Sequence, residues 1–234
     1  MKKTIQMDNW QLVNTAMEHL RIVCLCGKPG IGKTFAGLNQ TNNPTVVSVN
    51  LSEDTVVQEL FGHYVPKGGE FVYADGPVVS AMRHGHTLVI NELSRASAAV
   101  KDALLGALDS KESAKLTCSD GNTVSAHPNF RAIITSNESA DELDPALRDR
   151  CETVINLTEP HPDLIKALNS ALSGLGDAVM ASYADPDRAI STRASFAFAK
   201  LLSASVPSEV SAKLAYADRA TDILDTLKMR GVCQ

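Results

Sequence analysis

No stretch of this 234-residue sequence approaches the roughly 20 consecutive apolar residues that a membrane-spanning helix requires. No membrane insertion is expected. No secretory leader is expected either: Met1-Lys2-Lys3 starts like one, but Gln6, Asp8, Asn9 and Gln11 fill the place of its apolar segment. The expected address is the cytoplasm. Basic residues are not clustered, and 22 Lys and Arg against 27 Asp and Glu leave a formal charge of −5, which argues against an electrostatic nucleic-acid binder. The five cysteines, Cys24, Cys26, Cys118, Cys151 and Cys233, are odd in number and contain no C-x-x-C pair with zinc spacing. Buried free thiols are expected. The six histidines are dispersed, with no ligand-like pair, and repeats, low-complexity tracts and long charge runs are absent.

What is present is apolar content of 44%, enough for a sizeable core in one or two packed units. Asp8 is an N-cap candidate for a helix to His19, with Trp10, Val13, Met17 and Leu20 at helical spacing. Short continuous apolar runs follow at 22–26, 45–49, 87–90, 131–135 and 153–157, separated by helical patterns at 33–39, 55–61, 77–84, 98–110 and 145–150. Such runs suit strands buried on both faces of a parallel sheet, so an α/β fold is expected with five strands between helices. Cys24 and Cys26, two apart in RIVCLC, should share one face of their strand. Two stretches break the rhythm as β-hairpins, YVPKGGEFVY at 64–73 and KLTCSDGNTVSA at 115–126, the second centred on the turn dipeptide Asp120-Gly121. After Glu159-Pro160-His161-Pro162 only helical periodicity remains. The boundary is expected near residue 158, between an α/β domain (1–158) and a small helical domain (159–234).

GKPGIGKT fits G-x-x-x-x-G-K-[ST] and lies between an expected strand and an expected helix, the context that motif requires. A polyanionic phosphate chain needs inward-pointing backbone N–H groups, which glycines permit by close approach, and a helix N-terminus behind them. The cradle comprises Gly27, Lys28, Pro29, Gly30, Ile31, Gly32, Lys33 and Thr34; Lys33 would reach the phosphates and the Thr34 hydroxyl would ligate Mg²⁺. The strand at 87–90 ends in Asn91-Glu92 at the carboxyl edge of the sheet, where open α/β folds bind ligands. Glu92 is placed to activate a water; its bland alternative is a solvated helix cap. Asn91 stands where Asp is usual, and its amide oxygen can accept the same hydrogen bonds near Mg²⁺ without the charge. Weaker metal affinity and slower turnover are expected. Asn137, after the strand at 131–135, either holds water or phosphate or caps a turn. Arg148 and Arg150, in DPALRDR, are surface charges or a finger presented to a neighbouring subunit's nucleotide. Arg193, in STRAS, is on its own a helix-terminus Arg.

In this order the motifs resemble the MoxR-type branch of the AAA+ ATPases, relatives of the rubisco-activase-like and nitric-oxide-reductase-activating proteins. The resemblance covers about Arg21 to Arg193: GKPGIGKT; ELFGHYVPKGGEFVYADGPVVSAMRHG, similar to the helix-2 insertion; LVINELSRAS, similar to the Walker B strand; the Asp-Gly hairpin; HPNFRAIITSN; and DPALRDRC. It implies that Asn137 is sensor 1, Arg150 the arginine finger with Arg148 as understudy, and Arg193 sensor 2. Arg95 resembles an interface position. The family pattern is departed from at Asn91, at Cys151, where Phe commonly follows the finger, and in a short helical lid. The implied protein is a Mg²⁺-dependent ATPase that binds ATP in a hexameric homo-oligomer and remodels a partner, with a von Willebrand factor A protein as the expected adaptor. The competing readings are a nucleotide-dependent scaffold or switch with little hydrolysis, and a nucleic-acid motor. The acidic balance and a first hairpin with Lys67 as its basic residue argue against the motor.

Overall fold

The computed structural model describes residues 7–39, 45–110, 113–185 and 187–233. The leader-like Met1-Lys2-Lys3 and Gln6 lie outside them. The described residues form two compact units. One comprises the residues up to Gly27 with Lys33–Asn156, and the other Lys28–Gly32 with the chain from Leu157 onward.

The first unit begins with helix α1 (Asn9–His19), started by a reciprocal capping box between Asp8 and Gln11. The parallel five-stranded sheet has β2 (Val46–Asn50) at one edge, then β5 (Thr87–Asn91), β8 (Arg131–Ser136) and β1 (Ile22–Gly27), with β9 (Thr153–Leu157) at the other edge. Its central strands are almost wholly buried, as continuous Ile, Val, Leu and Cys runs demand when helices cover both faces. Register aligns the strand ends: Cys26 lies beside Ser136, Asn91 beside Thr135, and Asn50 beside Asn91. The residues that follow β1, β5 and β8 therefore emerge side by side. Around the sheet lie α2 (Lys33–Leu38), α3 (Val57–Phe61), α4 (Pro77–His84), α5 (Ala98–Ala107) and α6 (Pro145–Arg150). Two antiparallel ribbons project from this layer, β3 (Gly62–Lys67) with β4 (Glu70–Asp75) and β6 (Lys115–Thr117) with β7 (Thr123–Ser125).

Several sequence expectations need correction. The helix expected at 98–110 stops at Ala107, because Asp109 is tied elsewhere: its carbonyl accepts from the Arg21 guanidinium and its carboxylate from the Ser110 N–H. The helix expected from Thr55 starts at Val57, since Thr55 closes a turn in which its hydroxyl accepts from the Ser52 N–H at 2.9 Å. Cys24 and Cys26 do share a face, with sulfurs 3.8 Å apart. All five thiols are free, but Cys151 and Cys233 are only half-buried.

The second unit contains α7 (Pro162–Ala171), α8 (Leu175–Ser182), α9 (Thr192–Ser203), α10 (Ser208–Tyr216) and α11 (Ala220–Met229). Its separate core gathers Leu168, Leu175, Val179, Phe198 and Leu227, with Phe198 packed against the Tyr216 ring.

Candidate functional site

The aligned ends of β1, β5 and β8 collect six of the sequence-derived candidates, Gly27, Lys33, Thr34, Asn91, Glu92 and Asn137. Lys33 opens α2 and is 93% buried, with 7% of its surface exposed. Its ammonium donates to the Gly27 carbonyl at 2.6 Å and to Asn137 Oδ1 at 2.9 Å. Burial pushes its pKa down to about 8, against the opposing pull of Glu92 and Cys26. A desolvated ammonium held at the mouth of a Gly-rich turn gains most from an incoming anion. The other side of Asn137 turns to Glu92: its Nδ2 donates to Oε1 at 2.9 Å and to Oε2 at 2.7 Å. Lys33, Asn137 and Glu92 thus form a continuous hydrogen-bonded chain. Glu92 itself takes a left-handed backbone (φ 59°, ψ 40°), which sets it off from the strand just before the 3₁₀ turn Leu93–Arg95.

Asn91 is 3% exposed and satisfied on both sides. Its Oδ1 accepts from the Thr34 hydroxyl at 2.7 Å and from the Thr135 hydroxyl at 3.2 Å. Its Nδ2 donates to Ser48 Oγ at 3.0 Å and to the Val49 carbonyl at 3.3 Å. The carbonyl can only accept, so it fixes which way the amide faces. A carboxylate could keep the bonds to Thr34 and Thr135, and the Ser48 hydroxyl could rotate to donate, but one of its oxygens would confront the Val49 carbonyl. Asn91→Asp is accordingly expected to lower the stability of the nucleotide-free protein by about 3 kcal/mol, the scale of an uncompensated buried charge. Added Mg²⁺ should return part of it. Urea unfolding with and without Mg²⁺ reads both effects, and an unchanged midpoint would show that the amide donor has no structural part.

The remaining cradle residues, Lys28–Gly32, belong to the helical unit. Lys28 and Pro29 are exposed, and Ile31 is fully buried. Gly30 (φ 83°) and Gly32 (φ 104°) occupy left-handed space, and a Cβ on Gly32 would stand 2.7 Å from His161 Cβ. Glycine at 32 is thus demanded by conformation and space together.

Arg148, at the exposed end of α6, pairs loosely with Asp141 at 3.6 Å. Arg150 folds back along the same helix to donate from Nη1 to the Ala146 carbonyl at 3.1 Å, and its buried Nε has no hydrogen-bond partner among the described residues. Arg193 is exposed in the first turn of α9, and Arg95 is exposed in the 3₁₀ turn. Ser48, Thr135 and Thr192 were missed by sequence reasoning. Ser48 carried a faint signal as a lone hydroxyl inside an apolar run.

Thr34 Oγ1 and Asn91 Oδ1 offer two adjacent oxygens of the kind Mg²⁺ prefers, so the side chains present fit that ion. Among the described residues no group of three or more His, Cys, Asp and Glu could hold a metal, and no helix is long and apolar enough to cross a membrane.

A Gly-rich turn between strand and helix, a buried lysine behind it and polar side chains at the neighbouring strand ends define a P-loop nucleotide-binding fold. Residues 22–151 match the AAA domain of the dynein-related subfamily, and the chain belongs to that family of AAA+ P-loop domains. Membership implies ATP and Mg²⁺ use in general. Midasin of Dictyostelium discoideum is 33% identical over 135 residues, 55% of this chain and 2% of midasin. An uncharacterized protein of Staphylococcus saprophyticus is 31% identical over 169 residues, 68% of this chain and 63% of that protein. The mouse von Willebrand factor A domain-containing protein 8 is 34% identical over 137 residues, 51% of this chain and 7% of that protein. The chain thus spans less than two thirds of each of these relatives. A crystal structure from Cytophaga hutchinsonii shares the fold, with a TM-score of 0.51 and 17% identity, covering 95% of this chain and 89% of the other.

Proposed function

We propose that this chain is a MoxR-type, Mg²⁺-dependent ATPase that assembles as a hexameric ring and remodels or activates a partner protein. The observation that carries the reading is the hydrogen-bonded chain from Lys33 through Asn137 to Glu92. It links a phosphate-seeking cation to a carboxylate able to take a proton from water, with one amide orienting both. Lys33 and the loop Gly27–Gly32 hold the phosphates, Thr34 and Asn91 hold the metal, and Glu92 orients the attacking water. Mg²⁺ supplies neutralisation of phosphate charge. Arg150, with Arg148 beside it, completes the site of a neighbouring subunit. Arg193, in the helical residues 159–234, is the sensor 2 arginine of this reading. The mouse relative's name supports a von Willebrand factor A partner, since that protein carries such a domain in one chain with its matching segment.

A second reading, a nucleotide-dependent switch with little hydrolysis, is favoured by Asn91, whose amide is bound into the sheet where a carboxylate would be usual. Steady-state phosphate release from Mg²⁺-ATP over a wide range of protein concentration separates the two. The ring-forming ATPase predicts turnover per subunit that rises with concentration, because the arginine comes from a neighbour. Turnover independent of concentration would remove the ring. Tight nucleotide binding without release would establish the switch.

A further inference from the structure

The phosphate loop is held by the helical unit through its carbonyls. The Thr192 hydroxyl donates to the carbonyl of Gly30, and the His161 backbone N–H donates to that of Ile31 at 2.8 Å. Thr192 is 3% exposed, so this hydroxyl sits out of solvent. The approach is closest at Gly32. A Cβ on Gly30 would stand 3.5 Å from Ser191 Oγ, and one on Gly32 would press on His161 and, at 3.0 Å, on Leu164 Cδ1.

A trans peptide is planar, and its C=O and N–H point in opposite directions. Anchoring the Gly30 carbonyl toward Thr192 therefore turns the Ile31 N–H away from Thr192. Anchoring the Ile31 carbonyl toward His161 turns the Gly32 N–H the other way in the same manner. Both N–H groups belong to the Gly-rich turn read above as the phosphate cradle.

From this geometry we infer that Thr192 is a positioning residue for phosphate recognition: its hydroxyl, acting with the His161 N–H, presets the loop's backbone donors before nucleotide arrives. The inference rests on the reading of Gly27–Thr34 as a phosphate cradle. Its energetic logic is preorganisation. A loop whose peptide planes are already set loses little conformational freedom on binding, whereas a loop free to rotate them must be ordered by the ligand. Thr192 touches no substrate in this scheme. It acts through the peptide plane, and it differs in that from the neighbouring Arg193.

The test uses the full chain and titration with Mg²⁺ and a fluorescent ADP, alongside unfolding without nucleotide. Thr192→Val keeps shape and burial but removes the donor, and is expected to weaken ADP affinity about tenfold, the scale of the conformational freedom that a loosened residue gives up on binding. Thr192→Ser keeps the donor and should bind like the native chain, with both variants unfolding close to native without nucleotide. Native affinity in Thr192→Val would overturn the inference and leave the phosphate cradle standing. Equal weakening in Ser and Val would also overturn it, since the methyl group would then be what matters. If Thr192→Val does not fold, Thr192→Cys against Thr192→Ser replaces it, setting a weak donor against a strong one, with the same tenfold gap expected and its absence decisive. A native chain that binds no better than Lys33→Ala would sink the cradle reading itself, and the inference with it.

Discussion

Glu92→Gln is expected to cut phosphate release by about 10²- to 10⁴-fold, the range of a general base removed from a hydrolytic site, while nucleotide affinity stays near native. The geometry sharpens the expectation beyond loss of charge. Asn137 Nδ2 donates to both oxygens of Glu92, at 2.9 and 2.7 Å. A glutamine offers one oxygen, and its amide nitrogen would set donor against donor, so the side chain must turn. The base is therefore removed and its mount disturbed in one change. Because Asn137 is exposed and Glu92 only half-buried, stability should hardly move. Multiple-turnover release measured beside a binding titration checks both halves. Turnover close to native would assign water activation to another group.

Lys33→Met is expected to weaken Mg²⁺-nucleotide binding by more than about 100-fold, consistent with loss of a desolvated charge-assisted contact. The same change should leave the nucleotide-free protein as stable as the native chain, or more so. Lys33 lies at 7% exposure, and burial has already lowered its pKa to about 8, so the fold carries a charge it holds at a cost. Methionine fills nearly the same volume with no charge to desolvate. The Gly27 carbonyl and Asn137 lose a donor, which limits the gain. Binding titration and thermal unfolding should thus move in opposite directions. A variant that binds poorly because it unfolds would contradict the assignment of Lys33 to ligand rather than fold.

The parts of the molecule legible in the sequence are those whose physics is local. GKPGIGKT announces itself because glycines, lysine and threonine must stand at fixed offsets within one turn. The apolar runs announce the strands of the parallel sheet, most plainly β1, β5 and β8, whose burial on both faces favours continuous apolar sequence. Asp8 and Gln11 encode a helix start three residues apart. What stayed hidden is set by chain segments far apart in sequence. Ser48 and the Val49 carbonyl decide which way the Asn91 amide faces, 43 and 42 residues away. Thr192 bonds a carbonyl 162 residues earlier, and in sequence it reads as part of a helix cap. Asp109 ends α5 early through Arg21, on the far side of the phosphate loop in sequence. No periodicity encodes such pairings; they exist only once distant segments of the chain have come together.

The β3–β4 ribbon ends this picture on a mechanical note. Two glycines pinch its base: a side chain at Gly62 would meet Tyr73 Oη at 2.6 Å and press on the Ala74 carbonyl, and one at Gly76 would strike the Leu60 backbone. Tyr73 Oη donates to the Phe61 carbonyl at 3.1 Å, and Arg83 of α4 grips Asp75 at 2.8 Å. From this clamp, six residues per strand reach about 20 Å, carrying Phe71, 75% exposed, near the tip. The Arg83–Asp75 contact ties the root of the ribbon to α4. That helix leads by a two-residue turn into β5, the strand that ends in Asn91 and Glu92. A load on the tip of the ribbon would reach that strand through one helix and one short turn.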